Sequence, residues 1–167
     1  MKQVLYSLLI LLFFTACKST TAITSKKENL TKSEKRKTSR LIEELIDTAT
    51  ENIGVKYKTA GTTKEGFDCS GLIYNIFNSY SITLPHSSYE QSKLGTIVNR
   101  NREEVKKGDL IFFKTNSKTK INHVGMVIEV NDDEIKFIHA STSKGVIISS
   151  TKEPYYQRTF AQLNRIL

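Results

Sequence analysis

The spacing of apolar residues along the chain changes from a helical to a strand-like period at about its middle. Leu41, Ile42, Leu45, Ile46 and Ile53 fall on one helical face that Thr38 or Ser39 caps and Gly54 ends. Leu72, Ile73, Ile76, Phe77 and Tyr80 recur at roughly three- to four-residue intervals, which predicts a second helix from about Ser70. Pro85 sets a helical end at Leu84, and Ser87 to Leu94 reads as a short helix. Beyond this point the runs are strand-like. Leu110-Ile111-Phe112-Phe113 is continuously apolar and predicts a short buried strand. The β-type runs from Asn122 to Ile128 and from Ile135 to Ala140 flank Asn131-Asp132-Asp133, which predicts an antiparallel hairpin. Further strands are expected at Gly145 to Ile148 and at Phe160 to Leu167. Helices first and strands afterwards predict an α+β domain, with N-terminal helices packed on a small antiparallel sheet. Residues 41–167 suffice for one domain and not for two.

Charge divides the chain differently. Of the net +8, the segment from Lys18 to Arg40 carries +6, with eight Lys or Arg against two Glu; residues 41–167 carry only +1. A near-neutral folded domain beside a basic polar segment argues against nucleic acid as a partner. Residues 17–40 hold many Ser, Thr and Lys and few large apolar side chains, a composition expected of a disordered tether. Such a tether would be a soluble spacer or would lie against anionic lipid headgroups or wall polymers. Lys2 precedes the apolar run Val4 to Phe14, which is too short for a bilayer core of about 30 Å but suits an export signal over residues 1–16. Phe14-Thr15-Ala16-Cys17 resembles the lipobox of bacterial lipoproteins. That resemblance implies lipid on Cys17 and a membrane anchor in the cell envelope. Lys18, where an aspartate would favour the inner membrane, points to the outer membrane facing the periplasm.

The candidate chemistry rests on few residues. There are two cysteines and three histidines. Cys69 lies in Gly66-Phe67-Asp68-Cys69-Ser70-Gly71, where a loop becomes a helix. The unpaired N–H groups and positive dipole end of a first helical turn favour a thiolate, and glycines on both sides suggest an approachable sulfur. No disulfide is expected, because Cys17 is taken by lipid and Cys69 needs a free thiol. A thiolate also needs a proton acceptor and a group to orient that acceptor. His123 and His139 sit near the open ends of the two hairpin strands. A two-residue turn at Asp132-Asp133 would pair Asn131 with Glu134 and place His139 opposite Met126, on the face away from His123. Cooperation between the histidines therefore requires a three-residue loop, with Val130 opposite Glu134, or a bulge that restores the parity. Zinc is the competing use of Cys69, His123 and His139. His86 follows Leu84-Pro85 either as a pocket residue or as a surface turn residue.

Tyr57, Gly66 to Leu72, Leu84-Pro85, Ser88-Tyr89-Glu90-Gln91, Lys107 to Phe113, His123 to Met126 and Phe137 to Ser141 together resemble the ordered motifs of the NlpC family of bacterial cell-wall cysteine peptidases. The resemblance runs from about Leu41 to the C-terminus. It implies a papain-like fold and hydrolysis of peptidoglycan stem peptides, commonly between D-glutamate and the diamino acid. It makes Cys69 the nucleophile, His123 the base and His139 the group that holds the His123 ring. Tyr57 stands beside the oxyanion, His86 near the groove, and Asp68 and Ser70 are implied substrate contacts. No cofactor and no metal are implied, and the protein is expected to act as a monomer. One departure concerns Tyr57-Lys58-Thr59-Ala60-Gly61, where family members often carry paired glycines close after the tyrosine. The same resemblance leaves two other outcomes open, a non-catalytic wall-peptide scaffold and acyl transfer to an amine.

Overall fold

The computed structural model describes residues 20–100, 104–115 and 119–167. The expected signal segment 1–16 and the lipid site Cys17 lie outside the described residues. Two compact units divide at Ser39/Arg40, and the second contains the sheet and the candidate site.

Helix α1 runs from Thr20 to Thr50, so the segment expected as a disordered tether is helical from Thr20 onward. The cap expected at Thr38 or Ser39 is absent, because the helix passes straight through both residues. Neither Gly nor Pro interrupts residues 18–53, and Lys, Glu, Arg, Ala and Leu all favour helix whether or not they find a core. Low hydrophobicity was thus a poor guide to local conformation here. Near its C-terminal end α1 buries Leu45, Ile46 and Ala49. Ile53, expected on the same face, lies in the turn after the helix and is 50% exposed.

A two-residue ribbon follows, β1 (Thr62–Thr63) against β2 (Gly66–Phe67). Then come helix α2 (Cys69–Asn78) and the single turn α3 (Ser88–Gln91). Six strands make the main sheet: β3 (Thr96–Val98), β4 (Leu110–Phe113), β5 (His123–Asn131), β6 (Glu134–Ser141), β7 (Gly145–Ser150) and β8 (Phe160–Arg165). Helix α4 (Pro154–Thr159) precedes β8. The strand order is β3-β8-β4-β5-β6-β7 and every neighbouring pair is antiparallel. Strand β3 and helix α4 were not expected; β3 is three residues long, and Pro154 starts a helix too short to show a period.

Both faces of the sheet are covered, which explains why β4 is apolar at every position. Leu110 and Phe112 join Val124, Met126, Ile138 and Ala140 beneath α1 and α2. Ile111 and Phe113 join Val127, Ile135, Phe137 and Tyr156 on the other side. In the turn before β4, Asp109, only 1% exposed, is held by Arg165. Arg165 Nε donates to Oδ1 at 2.8 Å and Nη2 to Oδ2 at 2.7 Å, a two-pronged pairing that ties the end of β8 to the turn before β4.

The β5–β6 hairpin resolves the parity question. Asn131 pairs with Glu134, so the turn has two residues and the three-residue loop does not form. Val127 pairs with Phe137 and Glu129 with Lys136, which leaves Ile128 as the extra residue of a bulge. Past the bulge Met126 pairs with Ile138, so His139 comes level with Gly125 and shares a face with His123.

Gly125 is necessary to that register. A Cβ there would lie 2.8 Å from the Ile138 oxygen, 2.8 Å from Phe137 Cδ2 and 3.2 Å from His139 Cβ. Gly125→Ala is expected to cost about 2 kcal/mol through overpacking, read as a lower melting temperature. An unchanged melting temperature would mean that the strands can part there without loss.

Candidate active site

Helix α2 begins at Cys69 because Asp68 caps it: Oδ1 accepts the Gly71 N–H at 2.7 Å. The other oxygen of Asp68 accepts the Ala60 N–H at 2.9 Å and so ties the Tyr57 loop to the helix start. Ser70 Oγ lies 2.8 Å from the His86 carbonyl oxygen, and Gln91 Nε2 donates to the Ser70 and Pro85 carbonyls at 3.0 and 2.7 Å. Asp68 and Ser70, expected as substrate contacts, are therefore engaged with the protein's own backbone. Gly71 likewise serves packing: a Cβ there would sit 2.0 Å from the Gly61 carbonyl oxygen. Its lack of a side chain lets the loop close on the helix and does not open the sulfur, which belongs to a residue only 9% exposed. In the loop after Tyr57, Ala60 adopts φ +56°, a left-handed conformation that disfavours a side chain.

The thiol meets β5 from the helical layer. Cys69 Sγ lies 3.9 Å from the Asn122 carbonyl oxygen, and the N–H groups of Val124, Ser70 and Cys69 point at the sulfur. The strand thus touches the thiol on both sides of His123. On the opposite face His123 Nε2 and His139 Nδ1 are 2.9 Å apart, with the rings edge to face. This bond engages Nε2, so Nδ1 is the ring nitrogen of His123 not held by His139. His139 is 1% exposed, and its Nε2 lies 3.1 Å from both Ser149 Oγ and Tyr156 Oη. Phe113, Phe137 and Tyr156 enclose the pair.

Ser149 and Tyr156 were missed from the sequence. Ser149 occupies a β-strand with no accompanying motif, and Tyr156 reaches the site only through α4. Their part follows from the tautomers. If His123 Nδ1 is to accept a proton, its own proton must be on Nε2 and donated to His139 Nδ1. His139 then carries its proton on Nε2, and the two hydroxyls are the acceptors for it.

Electrostatics overturns one expectation. The Cys69 thiol is pushed up to about 11, first by burial and then by the Asp68 carboxylate; the three N–H groups only partly oppose this. Burial lowers His123 to about 4, while burial and then the neighbouring His123 lower His139 to about 3. All three shifts favour the uncharged form, a neutral thiol and neutral imidazoles, and run against the thiolate expected at a helix start. Tyr57 is raised by burial, then by Cys69 and Asp68, which keeps its phenol protonated within electrostatic reach of the sulfur. His86 is exposed, with its ring 3.8 Å centroid to centroid from Tyr74. Among the described residues no three His, Cys, Asp or Glu are grouped to hold a metal ion.

Residues 54–165 match the NlpC/P60 family. The probable endopeptidase NlpC homolog of Haemophilus influenzae is 45% identical over 116 residues, covering 69% of this chain and 57% of that protein. The murein DD-endopeptidase MepS/murein LD-carboxypeptidase of Escherichia coli K12 is 42% identical over 115 residues, 68% of this chain and 57% of its own. The chain thus spans little more than half the length of these relatives. A crystal structure of an NlpC/P60 family protein from Bacillus cereus aligns with TM-score 0.66 and 36% identity, over 75% of this chain and 40% of that one. The shared arrangement, helices against a six-stranded antiparallel sheet, is the α+β papain-like fold.

Two outcomes test the site. Alkylation of Cys69 by iodoacetamide should rise about tenfold per pH unit from pH 6 and level off only towards the thiol's value of about 11. A plateau from about pH 5 would instead reveal a preformed thiolate–imidazolium pair. The double variant Tyr156→Phe/Ser149→Ala leaves the buried His139 N–H without an acceptor, a loss of about 1–3 kcal/mol. Turnover of that variant should fall roughly tenfold or more at unchanged KM, with each single variant nearer wild type. Equal turnover of double variant and wild type would remove Ser149 and Tyr156 from the site.

Proposed function

The chain belongs to the NlpC/P60 family, and from that premise we propose that it is a cysteine peptidase that hydrolyses amide bonds in the stem peptides of peptidoglycan. The observation that carries this reading is the 2.9 Å bond between His123 Nε2 and His139 Nδ1, with the backbone of Asn122 and Val124, the two neighbours of His123, against the Cys69 sulfur. A binding scaffold has no use for an imidazole oriented through three buried partners.

The neutral resting state dictates the order of events. As the sulfur attacks the scissile carbonyl carbon, its proton passes to His123 Nδ1, so charge separates only while the carbon–sulfur bond forms. His139 Nδ1 accepts the opposite N–H of the new imidazolium and holds the ring in place. The negative oxygen of the tetrahedral intermediate faces the Cys69 N–H and the Tyr57 phenol, donors worth about 3 kcal/mol each when well placed. His123 then protonates the departing amine and a thioester remains. Water, deprotonated by the same nitrogen, releases the new carboxylate and restores the thiol. An amine in place of that water would give acyl transfer through the same thioester.

MepS carries a D,D-bond in its name, whereas the resemblance read from the sequence favours the D-glutamyl to diamino acid bond. Both lie in the same stem peptide, and fragment masses separate them. Lipid on Cys17, with the enzyme held on the outer membrane facing the periplasm, completes the proposal and would confine cleavage to wall within reach of the anchor.

Purified peptidoglycan digested by the chain from Thr20 onward should yield new amino termini. Cys69→Ala should lower the rate by roughly 10³-fold or more, His123→Ala comparably and His139→Ala less. Wild type and Cys69→Ala releasing the same fragments at the same rate would refute the covalent mechanism.

A further inference from the structure

On the second face of the sheet, beside the histidines, lies a cavity of about 340 Å³. The floor is formed by β6 and β7 through His139, Ser141, Ile147 and Ser149, with Tyr155 and Glu153 of α4 and its N-cap at one side. The turn between β6 and β7 brings Lys144 to it, and Thr115 and His123 border it at the open end of β5. Cys69, Tyr57 and the Asp68 loop belong to the other layer and do not line it.

Chemistry assigns the two layers to different halves of a substrate. The acyl half must meet the sulfur and the oxyanion donors, on the helical side. The leaving half must present its nitrogen to His123, the imidazole proposed above as the base. A cavity bordered by His123 and not lined by Cys69 is therefore placed to receive what departs. We propose that this cavity is the leaving-group subsite and that Lys144 selects a leaving half carrying a free carboxylate. The inference rests on the peptidase reading above for its direction of cleavage.

The lining suits that ligand. Lys144 supplies a cation. The Thr115 hydroxyl oxygen accepts the Asn122 side-chain N–H at 3.0 Å and keeps its own O–H to donate. Ser141 and Ser143 place two more hydroxyls on the same turn, 3.4 Å apart. Glu153 is the one carboxylate in the lining; its Oε1 accepts the Ser150 N–H at 2.8 Å, fixing it to the β7 end of the cavity. A cation at one end and an anion at the other match the spare carboxylate and spare ammonium of a diamino acid, and mismatch a leaving half that is only anionic or only apolar.

The test uses the full chain and two synthetic stem peptides that differ only in the leaving half, one with a free carboxylate and one with that carboxylate as a primary amide. Wild type should prefer the carboxylate peptide in kcat/KM. Lys144→Gln should lose roughly fivefold on it and stay within about twofold on the amide, which erases the preference. In parallel, the carboxylate leaving fragment is titrated into Cys69→Ala by NMR. It should shift Ser141, Lys144 and Ile147, and bind more weakly when Lys144→Gln is added. A preference unchanged in Lys144→Gln, an equal loss on both peptides, or a fragment that does not bind at these residues overturns the proposal. Fragment binding through Lys144 without cleavage of either peptide upholds the subsite and refutes the peptidase reading instead.

Discussion

The extra residue Ile128 in β5 decides whether His123 and His139 can meet. Side chains alternate across a sheet, so with the two-residue turn at Asp132-Asp133 a regular ladder would turn His139 away from His123. The bulge shifts the parity by one, and everything behind the pair depends on that shift. His139 then enters the layer of Phe113, Phe137 and Tyr156, where its second nitrogen finds two hydroxyls. Gly125 keeps the space between the strands in which the two imidazoles meet. The three features form a chain of dependence, in which backbone register places the ring, the ring's burial keeps it neutral, and its neutrality makes it an acceptor.

Much of this was legible from residue patterns. The periods of Leu72 to Phe77 and of β4 to β7 gave their elements to within a few residues, because each carries a whole face or an entire run into the core. The parity argument reduced the hairpin to two possibilities, and the bulge is the one that forms. What could not be read followed from contacts across long stretches of chain. Nothing local marks Tyr156 as a neighbour of His139, or Arg165 as the partner of Asp109. The segment after Thr20 was misjudged for a different reason, since its composition speaks to burial and its helicity comes from backbone propensity.

Residues beside Cys69 show a structural part that the motif alone does not reveal. Asp68 and Ser70 flank Cys69 in sequence, and their side chains turn back to Ala60, Gly71 and His86. Their contribution is to fix where the helix starts and how the Tyr57 loop lies on it. That loop carries the departure from the family pattern, and Ala60 within it takes a left-handed backbone that costs a residue with a side chain more than glycine.

The raised Cys69 also bears on the protein's durability. Oxidants attack the thiolate far faster than the thiol, and the first product leads on to irreversible acids. A sulfur that rests protonated and almost wholly covered presents little of the vulnerable form between turnovers. For the nucleophile proposed above, ionisation confined to the moment of attack would keep that exposure brief wherever peroxides circulate.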